Sequence, residues 1–271
     1  MYRMTDNTIA KSRERLAYVM RLSGEIISVG SASAALQVSR SDAAKTLARW
    51  NHQGWVKRLR RGHYAPVPLT ALGQEQVLQD PWVVVPELFG PACIGGWSAA
   101  EHWDLTEQLF RGTCVLTSRP VRQKEVIVQG LPFSLKYVRK QSMFDTKPIW
   151  RGRIRVDVTS PAKTIIDMLD DPTLGGGIRH VQDCLAAYLR REVNGSTALL
   201  EDAVTLGNGA VFKRLGFLAE RLDNADELIS GCRAHLTQGN AKLDPALPCP
   251  RLIKRWKLWV PDSWAKPRPH D

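Results

Sequence analysis

Residues 31–66, SASAALQVSRSDAAKTLARWNHQGWVKRLRRGHYAP, constrain the fold more than any other stretch of the chain, because two short helices, a turn and a basic hairpin read out of them in order. Ser31–Gln37 is an alanine-rich helix preceded by Gly30. A second helix opens after Val38 with Ser39 or Ser41 as its N-cap, since a hydroxyl at that position accepts from an unpaired first-turn N–H. Within it, Ala44, Leu47 and Ala48 fall at helical spacing and are expected to pack inward, while Asp42, Lys45, Arg49 and His52 occupy the opposite side. Gly54 supplies a left-handed stop, Trp55–Leu59 begins a strand, Arg61 and Gly62 form a hairpin tip, and His63–Ala65 returns. Pro66 and Pro68 end that strand, because a ring nitrogen cannot donate to a ladder. Upstream, Ile9–Leu22 reads as a supporting helix. The sum is a winged helix-turn-helix, an arrangement that docks on duplex DNA.

Charge agrees with that reading. Residues 1–70 hold 12 Lys and Arg against 4 Asp and Glu, most of the chain's net charge of +11. A cationic module of this shape suits a polyanion, because each neutralised phosphate releases counterions. Ser41, Lys45, Thr46 and Arg49 on the second helix are the candidates for base edges, and Ser39 and Arg40 at its start are also expected to face DNA. Lys57, Arg58, Arg60, Arg61 and His63 on the wing are the candidates for phosphate or the minor groove.

The 271 residues are long enough for two domains, expected at 1–69 and 70–271. No run approaches the length of a membrane span, and the N-terminus MYRMTDNTIAKSRER lacks the apolar stretch of a signal peptide, so a cytoplasmic protein with no membrane partner is expected. The 5 cysteines are odd in number and widely spaced, which reads as buried thiols rather than disulfides or a zinc site. The expected fold class is α+β, with the winged helix followed by a larger mixed α/β domain. Strands are expected at Thr113–Thr117, Glu125–Gln129, Phe133–Val138 and Ile154–Val158, forming one sheet within residues 92–158. Residues 160–240 read as mainly helical, beginning with Ser160 as a cap before Pro161, and residues 251–271 as a basic strand and tail. A further helix is expected through Trp103, capped by Ser98.

The order of motifs resembles a known family. A basic winged helix closing in RGHYAP, then IGGWSAAEHWDLTEQ, then VDVTSPAKTIIDMLDDP with GGG after it, is similar to the AbiEi antitoxins of bacterial type IV toxin–antitoxin (abortive infection) systems. The likeness runs over nearly the whole chain. It implies an autorepressor whose N-terminal domain binds inverted repeats in its own promoter, and a C-terminal domain with antitoxin activity. The functional partner it implies is an AbiEii-like nucleotidyltransferase toxin, opposed without a stable complex.

An enzyme or RNA-binding effector is the competing class. Asp157, Asp167, Asp170, Asp171 and Asp183 cluster in sequence, but Asp170 and Asp171 read as a helix end and Asp167 pairs with Lys163 one turn away. Gly175–Gly177 lack a phosphate-loop arrangement and read as a flexible helix–helix connection. His102 has no nucleophile tied to it by spacing and is read as a packed or capping side chain. No catalytic residue, metal ligand or cofactor is expected. Basic residues are concentrated again in 111–155 and 251–271, where either a solvated strand surface or a second nucleic-acid surface fits. Trp256, Trp259 and Trp264 sit among bases in the latter segment and either stack on unpaired nucleotides or pack inward while the lysines reach solvent.

Overall fold

The computed structural model describes residues 3–67, 78, 80–223 and 225–265. Pro68, the expected boundary at 69–70 and Lys266 lie outside them, as do the side chains of residues 1–10, Ile9 among them. The first unit runs α1 (Arg3–Ser23), β1 (Ile27–Ser28), α2 (Val29–Leu36), α3 (Arg40–His52), β2 (Val56–Arg60) and β3 (His63–Pro66). Ser28 caps α2 reciprocally: its hydroxyl accepts from the Ser31 N–H at 3.0 Å, and the Ser31 hydroxyl accepts from the Ser28 N–H at 3.0 Å. Ser39 caps α3, accepting from the Asp42 N–H at 3.1 Å. Gly54 takes the left-handed φ of 72° expected of a helix stop.

The inward stripe of α3 differs from the sequence expectation. Ala43, Leu47 and Trp50 are fully buried, whereas Ala48 is exposed and Ala44 only half-buried. Apolar burial scales with area, so a stripe ending in Leu and Trp outweighs one offering two alanine methyls. The Trp50 indole N–H donates to the Ser12 hydroxyl at 2.9 Å, which ties α3 to α1. β1, too short to read in sequence, pairs with β3, giving a sheet of order β1-β3-β2. This sheet divides two cores. Val56 and Tyr64 pack with the three helices, while Leu59, Ala65 and Ile26 join a second core drawn largely from residues between Leu78 and Val158.

The rest of the chain continues with a 3-10 turn at Pro81–Val84, α4 (Val85–Phe89), β4 (Ala92–Ile94), α5 (Gly96–His102), β5 (Thr113–Thr117), β6 (Glu125–Val128), β7 (Leu131–Tyr137), β8 (Thr146–Arg151) and β9 (Ile154–Thr159). These strands form one mixed sheet of order β6-β7-β5-β4-β9-β8. The four expected strands are there. β4 and β8 are additional, since three residues are too few to show a period and Pro148 interrupts the other. One sheet face, with Ile94, Val115, Phe133, Val156 and Val158, meets α4 and the N-terminal hairpin. Cys93, Cys114 and Leu116 on the other face meet a helical layer.

That layer comprises α5, α6 (Pro161–Asp170), α7 (Ile178–Arg191), α8 (Gly195–Leu206), α9 (Gly209–Ala219) and α10 (Asp226–Ala234). Ser160 caps α6 as expected, accepting from the Lys163 N–H at 3.1 Å. Ser98 does not cap α5. The helix starts at Gly96, and the Ser98 hydroxyl, buried, instead accepts from the Cys114 N–H at 2.9 Å across to the sheet. Gly96 is needed there, at a φ of 53° and with a hypothetical Cβ only 2.4 Å from the Leu174 carbonyl oxygen. Gly175–Gly177 are not a slack connection. Gly175 ends a 3-10 turn capped by Asp171, and the Asp244 carboxylate accepts from the Ile178 N–H at 3.1 Å.

The C-terminal segment is two strands rather than the one expected. β10 (Ala241–Lys242), β11 (Arg251–Ile253), β12 (Leu258–Val260) and α11 (Asp262–Ala265) complete the chain, with the sheet order β10-β12-β11. Lys257, at a φ of 49°, reverses the chain so that β11 and β12 pair antiparallel and Trp256 in the turn is fully buried against α9. Alternation along RLIKRWKLWVP is equally compatible with one strand or a hairpin; burial of the indole selects the hairpin.

Candidate nucleic-acid interface

The eleven residues expected to face DNA fall into three places. On α3, Arg40, Ser41, Lys45 and Arg49 are exposed, Thr46 is half-buried, and the Ser39 hydroxyl is occupied by its cap. Lys45 lies 3.7 Å from Asp42 with both side chains largely in solvent, an arrangement worth about 0–1 kcal/mol, so a phosphate can outcompete it. On the hairpin, Arg58 and Arg61 are exposed and Lys57 is half-buried. The strand is held at both sides of Arg58. Its N–H donates to the Asn51 side-chain carbonyl at 2.9 Å, and its own carbonyl accepts from Gln129 at 3.0 Å.

Arg60 and His63 are elsewhere, turned toward the second unit. The His63 Nε2 is 3.6 Å from the Glu87 carboxylate, and Arg60 Nε is 3.4 Å from His63 Nδ1. Burial lowers the Arg60 pKa, and the Arg119 guanidinium lowers it further, with Glu87 opposing. Asn51, Gln129 and Arg119 were not among the sequence candidates. Asn51 sits at the end of a helix already read as polar, whereas the Gln129 and Arg119 contacts join segments far apart in the chain and leave no local signal.

The other candidate chemistries disperse. Asp157 pairs with Arg155 at 3.0 Å, Asp167 with Lys163, and Asp171 with Lys136; Asp170 accepts from Asn208 at 2.5 Å, and Asp183 is exposed. Among the described residues no group of three His, Cys, Asp or Glu side chains is placed to hold a metal ion. His102 packs edge-on between Trp82 and Trp103, and burial, with Arg151 adding to it, lowers its pKa. In the middle basic block Lys136, Lys147, Arg151 and Arg155 are each ion-paired. At the C-terminus Arg255 grips Glu220 with two nitrogens, Arg251 pairs with Asp262 at 2.7 Å, and Trp256 and Trp264 are buried. Those two indoles are therefore not available to stack on a nucleotide. Four cysteines are buried and Cys249 is half-buried.

No family model matches the chain, and no curated protein matches it. Its fold is similar to the crystal structure of the RV2827C protein from Mycobacterium tuberculosis, with a TM-score of 0.55 over 92% of this chain and 90% of that one. The two are 12% identical, so the likeness is one of fold: a mixed α/β protein in which no described helix is long and apolar enough to cross a membrane.

Proposed function

We propose that the first unit is a winged helix that binds duplex DNA through the exposed face of α3 and the hairpin tip. The observation that carries this reading is the cationic set Arg40, Arg49 and Arg61, without an acidic partner among the described residues, and Lys45, weakly held, on a helix and a hairpin braced from behind by Trp50 and Asn51. A braced element loses little conformational entropy on docking. In this arrangement α3 meets base edges and Lys57, Arg58 and Arg61 meet phosphate, while Arg60 and His63 support the hairpin from the junction. Arg49→Ala is then expected to relax sequence preference, and Arg61→Ala to weaken all duplexes alike. Indistinguishable effects would contradict the assignment.

The wider role follows the motif resemblance: an AbiEi-like antitoxin that represses its own promoter and opposes a nucleotidyltransferase toxin. Support for this half comes from the SPAKTIID and IGGWSAAEHW runs alone. Co-expression with a nucleotidyltransferase-like protein encoded beside it tests it. Rescue of growth supports the antitoxin role, and unrelieved toxicity contradicts it.

A further inference from the structure

A cleft of about 440 Å³ opens between the N-terminal hairpin and the large sheet. Leu59, Leu88, Val126 and Leu135 give it an apolar lining, and Arg60, Arg119 and Arg122 give it charge. Among the described residues that line it there is no carboxylate. The Thr117 hydroxyl is already committed, donating to the Phe89 carbonyl at 2.7 Å, and it also accepts from the Arg119 N–H at 3.1 Å. That second bond fixes where the strand ends and the arginine-bearing loop begins.

We propose that this cleft binds a small amphipathic anion, with a carboxylate or phosphate head on the arginines and an apolar body on the leucines and valine. Arg60 is half-buried beside this apolar surface, where partial desolvation strengthens its repulsion by the exposed Arg119 guanidinium, and an anion held by both relieves it. Burial and Arg119 both destabilise the charged form of Arg60, and the Glu87 carboxylate that opposes them also faces His63. Guanidinium is the cation suited to this task, since its planar fork matches carboxylate and phosphate oxygens two at a time. The size and the apolar lining with a few convergent polar groups match small-molecule sites. A bare inorganic anion leaves the apolar lining wet, and a neutral apolar molecule leaves the arginines unpaired; an amphipathic anion satisfies both. One wall is β2, next to Arg61 in the chain, so an occupant also bridges the two units.

The site stands apart from the DNA reading, because its test uses no DNA. Calorimetric titration of the full chain with octanoate, octyl phosphate, octanamide and inorganic phosphate separates the contributions. The expected result is saturable binding of octanoate or octyl phosphate, with octanamide and inorganic phosphate each weaker by about tenfold or more. The ratio of the two octyl anions tells whether a carboxylate or a phosphate is the preferred head. Arg119 is exposed, so Arg119→Gln retains the fold, checked by an unchanged melting temperature, and is expected to lower the anion affinity by about tenfold. Arg179→Gln, on the exposed face of α7, leaves it unchanged. Equal affinity for octanoate and octanamide, wild-type affinity in Arg119→Gln, or no saturable binding of either anion would overturn the proposal.

Discussion

Replacing Lys163 with methionine is expected to destabilise the protein severely even though the residue touches neither the interface nor the cleft. Lys163 is 1% exposed and Asp167 6% exposed, one turn apart on a helix with Ala162–Leu169 entirely buried. The ammonium donates to Asp167 Oδ1 and lies 4.5 Å from the centre of the Phe144 ring; Asp167 Oδ2 has no hydrogen-bond partner among the described residues. The carboxylate therefore depends on one cation. Even with that cation present, burial raises the Asp167 pKa well above its ordinary value, with Lys163 opposing the rise. Removing one member of a buried pair costs about 3–5 kcal/mol, because the other is left charged without compensation, whereas replacing both by apolar residues of similar volume is often neutral or stabilising. Urea denaturation followed by tryptophan fluorescence at neutral pH measures both. Lys163→Met is expected to lose about 3–5 kcal/mol, and Lys163→Met with Asp167→Leu to recover to within about 1 kcal/mol of the parent. A single variant costing under about 1 kcal/mol, or a double variant no better than the single, refutes the reasoning.

Gly216→Ala is expected to destabilise, although alanine favours a helix by about 1 kcal/mol over glycine, because its Cβ would lie 2.2 Å from the buried Trp256 ring; a melting temperature at or above the parent's contradicts this. Asp202 is raised to about 6 by burial first and by Asp145 second, and its Oδ2 is buried without a partner among the described residues. Because the folded value lies above the unfolded value of about 4, its stabilising contribution is complete below that pH and is lost as pH rises through about 6. Asp202→Asn should therefore flatten the stability profile across that window, and an unchanged profile from pH-dependent denaturation contradicts it. Arg61→Ala is expected to reduce the dependence of log affinity on log salt by about 1, read by fluorescence anisotropy on any duplex; an unchanged slope removes Arg61 from the phosphate contacts.

The parts of the fold legible in sequence are those fixed by local chemistry. Ser160 before Pro161, Gly54 after α3 and the runs of Val, Ile and aromatic residues in β5, β6, β7 and β9 read correctly because caps, left-handed stops and strand periods act within a few residues. What failed to read depends on partners distant in the chain. Ser98 has the sequence context of a cap but serves the Cys114 N–H; β1 exists because β3 is there to pair with it; Trp256 bends the C-terminal segment because α9 offers a glycine. The candidate site divides along the same line. Exposure of Lys45 and Arg49 followed from helical spacing, but Arg60 and His63 turned to the junction because Arg119 and Glu87 arrive from elsewhere, and no local period encodes that.

The central claim, that the N-terminal unit reads duplex DNA, is tested most directly by titrating the full chain onto labelled duplex from upstream of its own gene and onto a scrambled duplex, at about 50 and 200 mM salt. The prediction is preferential binding of the upstream duplex, with log affinity falling against log salt with a slope of about −3, as about three phosphate contacts from Lys57, Arg58 and Arg61 require. Equal affinity for the two duplexes, or a slope near zero, would contradict it.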